Sequence, residues 1–127
     1  MATGVMKIGI ISKRDYIRRT FAIANGEYRP REDEPKIWFD SIKSMAQVLG
    51  NENQELLKLI VRCKPRSLSE LERISKRKKS NLSRTLKTLE KYGIVELTKN
   101  QGKLVPKVIA TDFRVEFGLH YSFPVST

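Results

Sequence analysis

The sequence predicts a mostly helical α+β fold with a β-hairpin in its second half and short strands near both ends. Apolar residues recur at spacings of three and four through the centre of the chain, which is typical of amphipathic helices. Two strand-like runs, residues 94–98 and 103–108, flank residues 99–102, which indicates a hairpin, and Pro106 predicts that its second strand is an edge or is bulged. Residues 113–119 alternate in polarity, which predicts a half-buried strand.

The N-terminal part of the chain is predicted to contain two short strands, one helix and a loop. The strands lie at residues 7–11 and 36–39, and two prolines with dense mixed charge make residues 27–35 a loop. A helix is predicted over residues 15–25 because its apolar residues have helical spacing and Gly26 follows it. The apolar residues with this spacing are Ile17, Phe21 and Ala24.

Two further helices are predicted in the next part of the chain. The first begins at a cap formed by Asp40 or Ser41 and ends at Gly50. Its apolar stripe consists of Ile42, Met45 and Leu49. The second begins at Asn51, which stands three residues before Gln54 as in a capping box. Its expected buried residues are Leu56, Leu57, Ile60 and Val61.

A short helix, a tight turn and a longer helix follow. Ser67 and Glu70 have the S-x-x-E spacing of a capping box, which places the start of the short helix. Its inward residues are expected to be Leu68, Leu71 and Ile74. The turn consists of the four consecutive cations at residues 76–79. The longer helix runs over residues 80–92, with Leu82, Leu86 and Leu89 in the core, and Gly93 follows where a left-handed C-terminal residue belongs.

The positive charge of the chain is confined to one region. The net charge is +11 and the pI is about 10.0. Residues 57–110 contain fifteen Lys and Arg against four Glu, whereas the rest of the chain contains ten cationic and ten acidic residues. A local excess of this kind predicts a polyanionic partner for that region. The alternative is a solvated face with no partner.

The sequence contains no constellation that would support catalysis. Its one cysteine, Cys63, and its one histidine, His120, exclude an intrachain disulfide and a zinc site built from these residue types. No nucleophile stands beside a base, and no glycine-rich phosphate loop is present. We therefore expect no enzyme activity, no metal and no cofactor. Cys63, Trp38 and Phe39 are expected to pack in the core rather than to form a redox sensor or a ligand cage.

The hydropathy of the chain argues against a membrane protein. No apolar run approaches the roughly 20 residues that a membrane span requires. The start of the chain lacks the basic region and apolar stretch of a secretory signal, so a cytoplasmic location is expected. Met6 could serve as an alternative start, which would make residues 1–5 a tail.

The order helix, short helix, tight turn, helix and hairpin is that of a winged helix-turn-helix. The segment LSELERISKRKKSNLSRTLKTLEKYGIVEL resembles the recognition unit of MarR-like and ArsR-like winged-helix transcriptional regulators. The resemblance covers residues 51–108 and implies a DNA-binding domain with a β-hairpin wing. Residues before Asn51 look more like the N-terminal part of small stand-alone winged-helix proteins, some of which are antitoxins encoded beside a toxin.

The residue types in this segment suit duplex DNA. A recognition helix places its first turns against base edges in the major groove, where Arg84 can bind guanine and Asn81 can bind adenine. The cationic turn and the helix N-terminus would meet phosphates, and the wing would touch the backbone or the minor groove. Ser80 has two open roles, as the N-cap or as a DNA contact. The predicted contacts are Lys76, Arg77, Lys78, Lys79, Ser80, Asn81, Ser83, Arg84, Lys87, Lys99, Asn100, Gln101 and Lys103.

These observations predict a sequence-specific double-stranded DNA-binding protein, acting as a homodimeric transcriptional repressor. Residues 51–110 would form the DNA-binding domain, between an N-terminal segment at 1–50 and a C-terminal strand and tail at 111–127. Dimerisation is expected through the apolar faces of residues 7–25 and 113–119. The alternative is an antitoxin or other interaction module that binds a toxin or another partner protein and represses its own operon.

Overall fold

The computed structural model describes residues 4–119 as a mixed α+β protein with five helices and five strands. The elements in chain order are β1 (Gly4–Ile10), α1 (Lys13–Ala24), β2 (Ile37–Phe39), α2 (Ile42–Val48), α3 (Asn51–Cys63), α4 (Leu68–Ser75), α5 (Lys79–Lys91), β3 (Val95–Asn100), β4 (Lys103–Val108) and β5 (Ala110–Glu116). Within residues 4–119, no helix is both long enough and apolar enough to cross a membrane. His120 and the rest of the predicted C-terminal tail lie outside the described residues.

The chain forms two compact units. The first contains Ala46–Asp112 together with the start of β1. The second contains Met6–Met45 and, from the other end of the chain, residues 113–119 of the described part. The sequence-based division placed its boundaries after residues 50 and 110 and treated the two flanks as separate segments, whereas residues 6–45 and 113–119 lie in one unit of the structure.

The first unit has a core of aliphatic side chains from three helices and a hairpin. Leu82, Leu86 and Leu89 of α5 are fully buried, as the helical spacing predicted. They are joined by buried residues from the neighbouring elements, namely Leu56, Leu57, Ile60, Leu71, Ile94, Val95 and Val108. The core therefore fixes which side of α5 faces inward and which side faces the solvent.

Local signals at the ends of α4 and α5 form the structures that they predict. The Ser67 hydroxyl accepts from the Glu70 backbone N–H at 3.1 Å and caps α4. Gly93 has a φ of 76°, and its N–H donates to Glu90 O at 2.9 Å while the Ile94 N–H donates to Leu89 O at 2.9 Å. This is the Schellman arrangement, so the predicted left-handed residue after the helix is confirmed.

The strands β3 and β4 form a two-stranded antiparallel hairpin. Asn100 pairs with Lys103, which leaves Gln101 and Gly102 as a two-residue turn with φ values of 55° and 79°. Two consecutive positive φ angles are those of a type I′ turn, which suits the twist of a tight hairpin. Lys99 and Asn100, which the sequence placed in the connection, belong to β3. Pro106 lies in a strand of a two-stranded sheet, consistent with the predicted edge position.

The strands β1, β2 and β5 form a three-stranded sheet with the order β2-β1-β5. The strands β1 and β2 are parallel and are joined through α1, with Ile8 opposite Ile37 and Ile10 opposite Phe39. Lys7 of β1 forms an ion pair with Glu116 of β5 at 3.4 Å. Because β1 begins at Gly4, the first described residues are part of the sheet.

An ion pair holds α1 in the second unit. The Arg19 guanidinium donates to Glu34 Oε1 at 2.9 Å, and both side chains are buried. Glu34 also accepts from the Tyr28 hydroxyl and from the Arg31 backbone N–H. The Arg19 guanidinium lies 4.9 Å from the ring centroid of Trp38, a cation–π contact. Trp38 therefore packs against a cation, and neighbouring Phe39 is buried in the core as expected.

The helix α1 places its apolar stripe in solvent. Its buried residues are Arg19 and Ala22, whereas Ile17 is 54% exposed and Phe21 is 65% exposed. The Arg19 side chain reaches the buried carboxylate of Glu34, so the face of the helix opposite Ile17 and Phe21 packs inward.

Smaller expectations also fail within the described residues. The N-cap of α3 is Gly50 rather than Asn51, and α2 has no buried residue, although Ser41 does cap it through the Ser44 backbone N–H. The Ser44 hydroxyl also donates to Asp40, which lowers the pKa of that carboxyl below its usual value. Two side chains that the sequence placed in the core are exposed, namely Val61 and Cys63. The apolar side chains of the strand expected to contribute to dimerisation are exposed as well, namely Val115, Phe117 and Leu119.

Candidate nucleic-acid interface

The outward face of α5 carries a row of cations. Residues three and four apart lie on the same side of a helix, so Arg84, Lys87 and Lys91 share the face opposite the three buried leucines. Ser80 begins the same row one turn before Arg84. All four side chains are exposed. We refer to Arg84, Lys87 and Lys91 as the cationic stripe.

The cationic stripe is free of acidic partners in the part of the chain that the structure describes. The ion pair found within Ala46–Asp112 joins Lys58 and Glu55 on α3, at 3.1 Å. Glu90, the acidic residue of α5, accepts from the backbone N–H of Leu97 at 3.4 Å. Lys91 is exposed, and its Nζ lies 6.0 Å from the ring centroid of Tyr92. The stripe therefore presents uncompensated positive charge.

The four cations before α5 do not share one environment. Lys76 ends α4 in the left-handed conformation with φ of 61°, Lys78 is the N-cap of α5, and Lys79 is its first helical residue. These three lysines are exposed, and none forms an ion pair among residues 4–119. Arg77 is half-buried and makes several internal contacts. The predicted phosphate-binding block is therefore three exposed lysines around one internal arginine.

Arg77 connects the turn to α5 and α3. Its Nε donates to Asn81 Oδ1 at 2.9 Å, and one of its terminal nitrogens donates to the same oxygen at 2.7 Å. That nitrogen also donates to Thr85 Oγ1 at 3.1 Å, and the other terminal nitrogen donates to Asn53 Oδ1 at 3.4 Å. Arg77 and Asn81, both predicted DNA contacts, therefore contact each other.

An acidic side chain occupies the start of α5. Glu72 of α4 accepts from the backbone N–H of Lys79 at 3.0 Å, which places a carboxylate at the positive end of the helix dipole. The expected attraction of phosphate to this N–H group is therefore satisfied internally. Ser80 is not the N-cap, because that position belongs to Lys78. Of the two roles left open for Ser80, only that of a DNA contact is compatible with its exposed position in the first turn.

The tip of the hairpin brings together the other predicted contacts. Lys99 and Asn100 end β3, and Lys103 begins β4 directly opposite Asn100. Gln101 forms the turn between them with Gly102. All of these residues are exposed, and neither lysine forms an ion pair in the described part of the chain. The tip therefore carries two free cations that flank a two-residue turn.

Two kinds of site residue were missed from the sequence. Lys91 stands four residues after Lys87, so helical spacing alone contained the signal for it. Asn53 and Glu72 act through contacts with the turn that no local pattern reveals, since Asn53 is 24 residues from its partner Arg77. Ser83, a predicted contact, lies half-buried on the flank of α5 rather than in the cationic stripe.

The comparison with protein families gives a match that includes this whole surface. The model of the HVO_A0114 family matches residues 48–115. The chain belongs to the HVO_A0114 family. The matched region begins at the last residue of α2 and ends in β5, so it contains the cationic stripe, the turn and the hairpin. Searches of curated proteins and of solved structures found no match to this member of the HVO_A0114 family.

Proposed function

We propose that the protein is a sequence-specific double-stranded DNA-binding protein of the winged helix-turn-helix type that acts as a homodimeric transcriptional repressor in the cytoplasm. The observation that carries the proposal is the exposed cationic stripe on α5, opposite a fully buried leucine face and without acidic partners among the described residues. A helix with one buried apolar face and one cationic face suits the major groove of duplex DNA.

Different residues of this surface would contact the bases and the phosphates. Arg84, in the second turn of α5, has the fork of donors that pairs with guanine O6 and N7. Lys76, Lys78 and Lys79 would bind phosphates, which positions the helix without reading sequence. The hairpin would act as the wing, with Lys99 and Lys103 near the DNA backbone. Repression would then follow from occupation of a promoter.

A second copy of the chain is the partner that we propose for the second unit. Ile17 and Phe21 on α1 and Phe117 after β5 are exposed apolar side chains. Two copies joined through these faces would present two recognition helices to a symmetric site, which raises both affinity and specificity. The same apolar side chains favour a second candidate function, an antitoxin whose α1 face binds a toxin while the HVO_A0114 region represses the operon.

The test is a salt-controlled binding assay on the DNA upstream of the gene that encodes this chain, with a scrambled duplex as the control. Arg84→Ala/Lys87→Ala removes two cations from the stripe, and Lys58→Ala/Arg62→Ala removes two exposed cations from α3. The first variant is expected to lose about tenfold or more in affinity for the upstream DNA, the scale of one lost base contact, and the second to bind like the wild type. Equal losses of affinity in both variants would mean that binding depends only on net charge. Absence of binding by the wild type would contradict the proposal.

A further inference from the structure

The contact between Arg77 and Asn81 restricts what Asn81 can recognise. A guanidinium group has five N–H donors and no acceptor, so it must face the carbonyl oxygen of an asparagine and not its NH₂ group. Two Arg77 donors, at 2.9 and 2.7 Å, fall on Asn81 Oδ1. The orientation of the Asn81 amide is therefore fixed by chemistry, and its exposed polar group is the NH₂, which has no hydrogen bond in the described part of the chain.

The position of Arg77 is fixed from three sides. Its four hydrogen bonds reach Asn81, Thr85 and Asn53. Asn53 is held in turn, because its Nδ2 donates to the Val48 carbonyl at 2.9 Å and its Oδ1 is left to accept from Arg77. This network uses four of the five N–H donors of Arg77, whereas, within the described residues, all three donors of each neighbouring lysine are free to bind phosphate.

An asparagine in this state cannot form the pairing expected for it with adenine. Bidentate recognition of adenine requires the asparagine oxygen to accept from N6 while its NH₂ donates to N7. With Oδ1 held by Arg77, Asn81 offers donors only. Guanine presents two acceptors in the major groove, N7 and O6, and so suits a group that only donates.

We infer that Arg77 is a positioning residue that sets the base preference of Asn81, favouring guanine over adenine at one base pair of the DNA site. This inference rests on the proposed DNA binding of α5. Arg77 itself touches no base. Its role is to remove the acceptor from the recognition surface, so a change at Arg77 alters specificity at a base that Asn81 contacts.

The test selects bound duplexes from a randomised pool with the full-length wild type, Asn81→Ala and Arg77→Lys. The position whose preference becomes flat in Asn81→Ala identifies the base pair that Asn81 contacts. Arg77→Lys keeps the charge and loses the fork, so it releases the acceptor while leaving phosphate attraction in place. At that base pair the wild type is expected to favour guanine, and Arg77→Lys is expected to shift the guanine-to-adenine ratio towards adenine by about tenfold, the scale of one bidentate contact.

Each other outcome overturns the inference. Adenine preference in the wild type that persists in Arg77→Lys would mean that the acceptor is not held. If Asn81→Ala changes the base preference at no position of the site, Asn81 contacts no base. If neither the wild type nor a variant enriches any duplex, the proposed DNA binding itself is rejected. This result is distinct from one in which DNA binds but the base preference does not follow the inference. Thermal unfolding of Arg77→Lys shows whether this variant is still folded at the temperature of the selection. Thr85→Val, which removes another hydrogen bond of Arg77, is measured in the same way as a control.

Discussion

The helices α5 and α1 are both amphipathic, but they place opposite faces in the interior. In α5 the leucines are buried and the cations are exposed, whereas in α1 Arg19 is buried and Ile17 and Phe21 are exposed. The apolar stripe of each helix is visible in the sequence. A stripe shows only that two faces differ, and the partner available to each face decides which of them packs inside.

The partner of the buried face of α1 is Glu34, which forms an ion pair with Arg19. Moving two charges out of water is unfavourable unless the pair is close and well hydrogen-bonded. Here Glu34 receives donors from Arg19, Tyr28 and the Arg31 backbone. Arg19 Nε has no hydrogen-bond partner in the described residues, so the site is not fully compensated. The interior of the second unit therefore combines a buried ion pair with apolar side chains such as Ile8 and Phe39, while that of the first consists of aliphatic side chains.

The largest effect is expected when this pair is broken. Glu34→Gln keeps the shape of the side chain and leaves Arg19 as a buried charge, so we expect a loss of about 3–5 kcal/mol in the free energy of unfolding of the second unit. Asp33→Asn is the control, because Asp33 forms an exposed pair with Arg31 at 3.3 Å and should change stability by at most about 1 kcal/mol. Urea unfolding measures both. Equal stabilities for the two variants would mean that the buried pair does not orient α1.

The next largest difference in the free energy of unfolding is expected between truncations in the apolar stripes of α5 and α1. Leu86→Ala creates a cavity in the core of the first unit and is expected to reduce the free energy of unfolding by about 2–5 kcal/mol. Phe21→Ala removes an exposed side chain and should change it by about 0.5 kcal/mol or less in the monomer. Unfolding monitored at low protein concentration compares them. A large loss in Phe21→Ala under those conditions would place that side chain in the core after all.

The exposed stripe of α1 is expected to carry the dimer. A buried aromatic anchor of an interface contributes about 2 kcal/mol or more, so Phe21→Asp should weaken self-association at least tenfold. Phe117→Asp is expected to do the same, and Gln47→Asp on the exposed face of α2 is the control. Sedimentation over a range of micromolar concentrations measures the dissociation constant. A wild type that stays monomeric with and without DNA would favour the antitoxin hypothesis, in which a different protein covers α1.

The sequence predicts structure well where the cause is local. The Ser67 cap, the Gly93 end of α5 and the leucine stripe each depend on residues within about two turns of a helix, and all three are present. The orientation of α1 depends on Glu34, 15 residues from Arg19, and the role of Arg77 depends in part on Asn53. Such contacts exist only after the chain has folded, so the sequence predicted Arg84 and Lys87 of the cationic stripe but could not separate Arg77 from the lysines beside it.

The salt dependence of DNA binding tests most directly the claim that the cationic surface of the first unit binds a polyanion. Each phosphate contact releases counterions and contributes about 0.9 to the slope of log affinity against log salt. Lys78→Ala/Lys79→Ala removes two exposed lysines of the turn, so it should weaken binding to specific and scrambled duplexes equally and make the slope shallower by up to about 2. Stability should change by about 0.5 kcal/mol or less. Affinity and slope that remain at wild-type values would contradict the account and leave the charge as a solvated face.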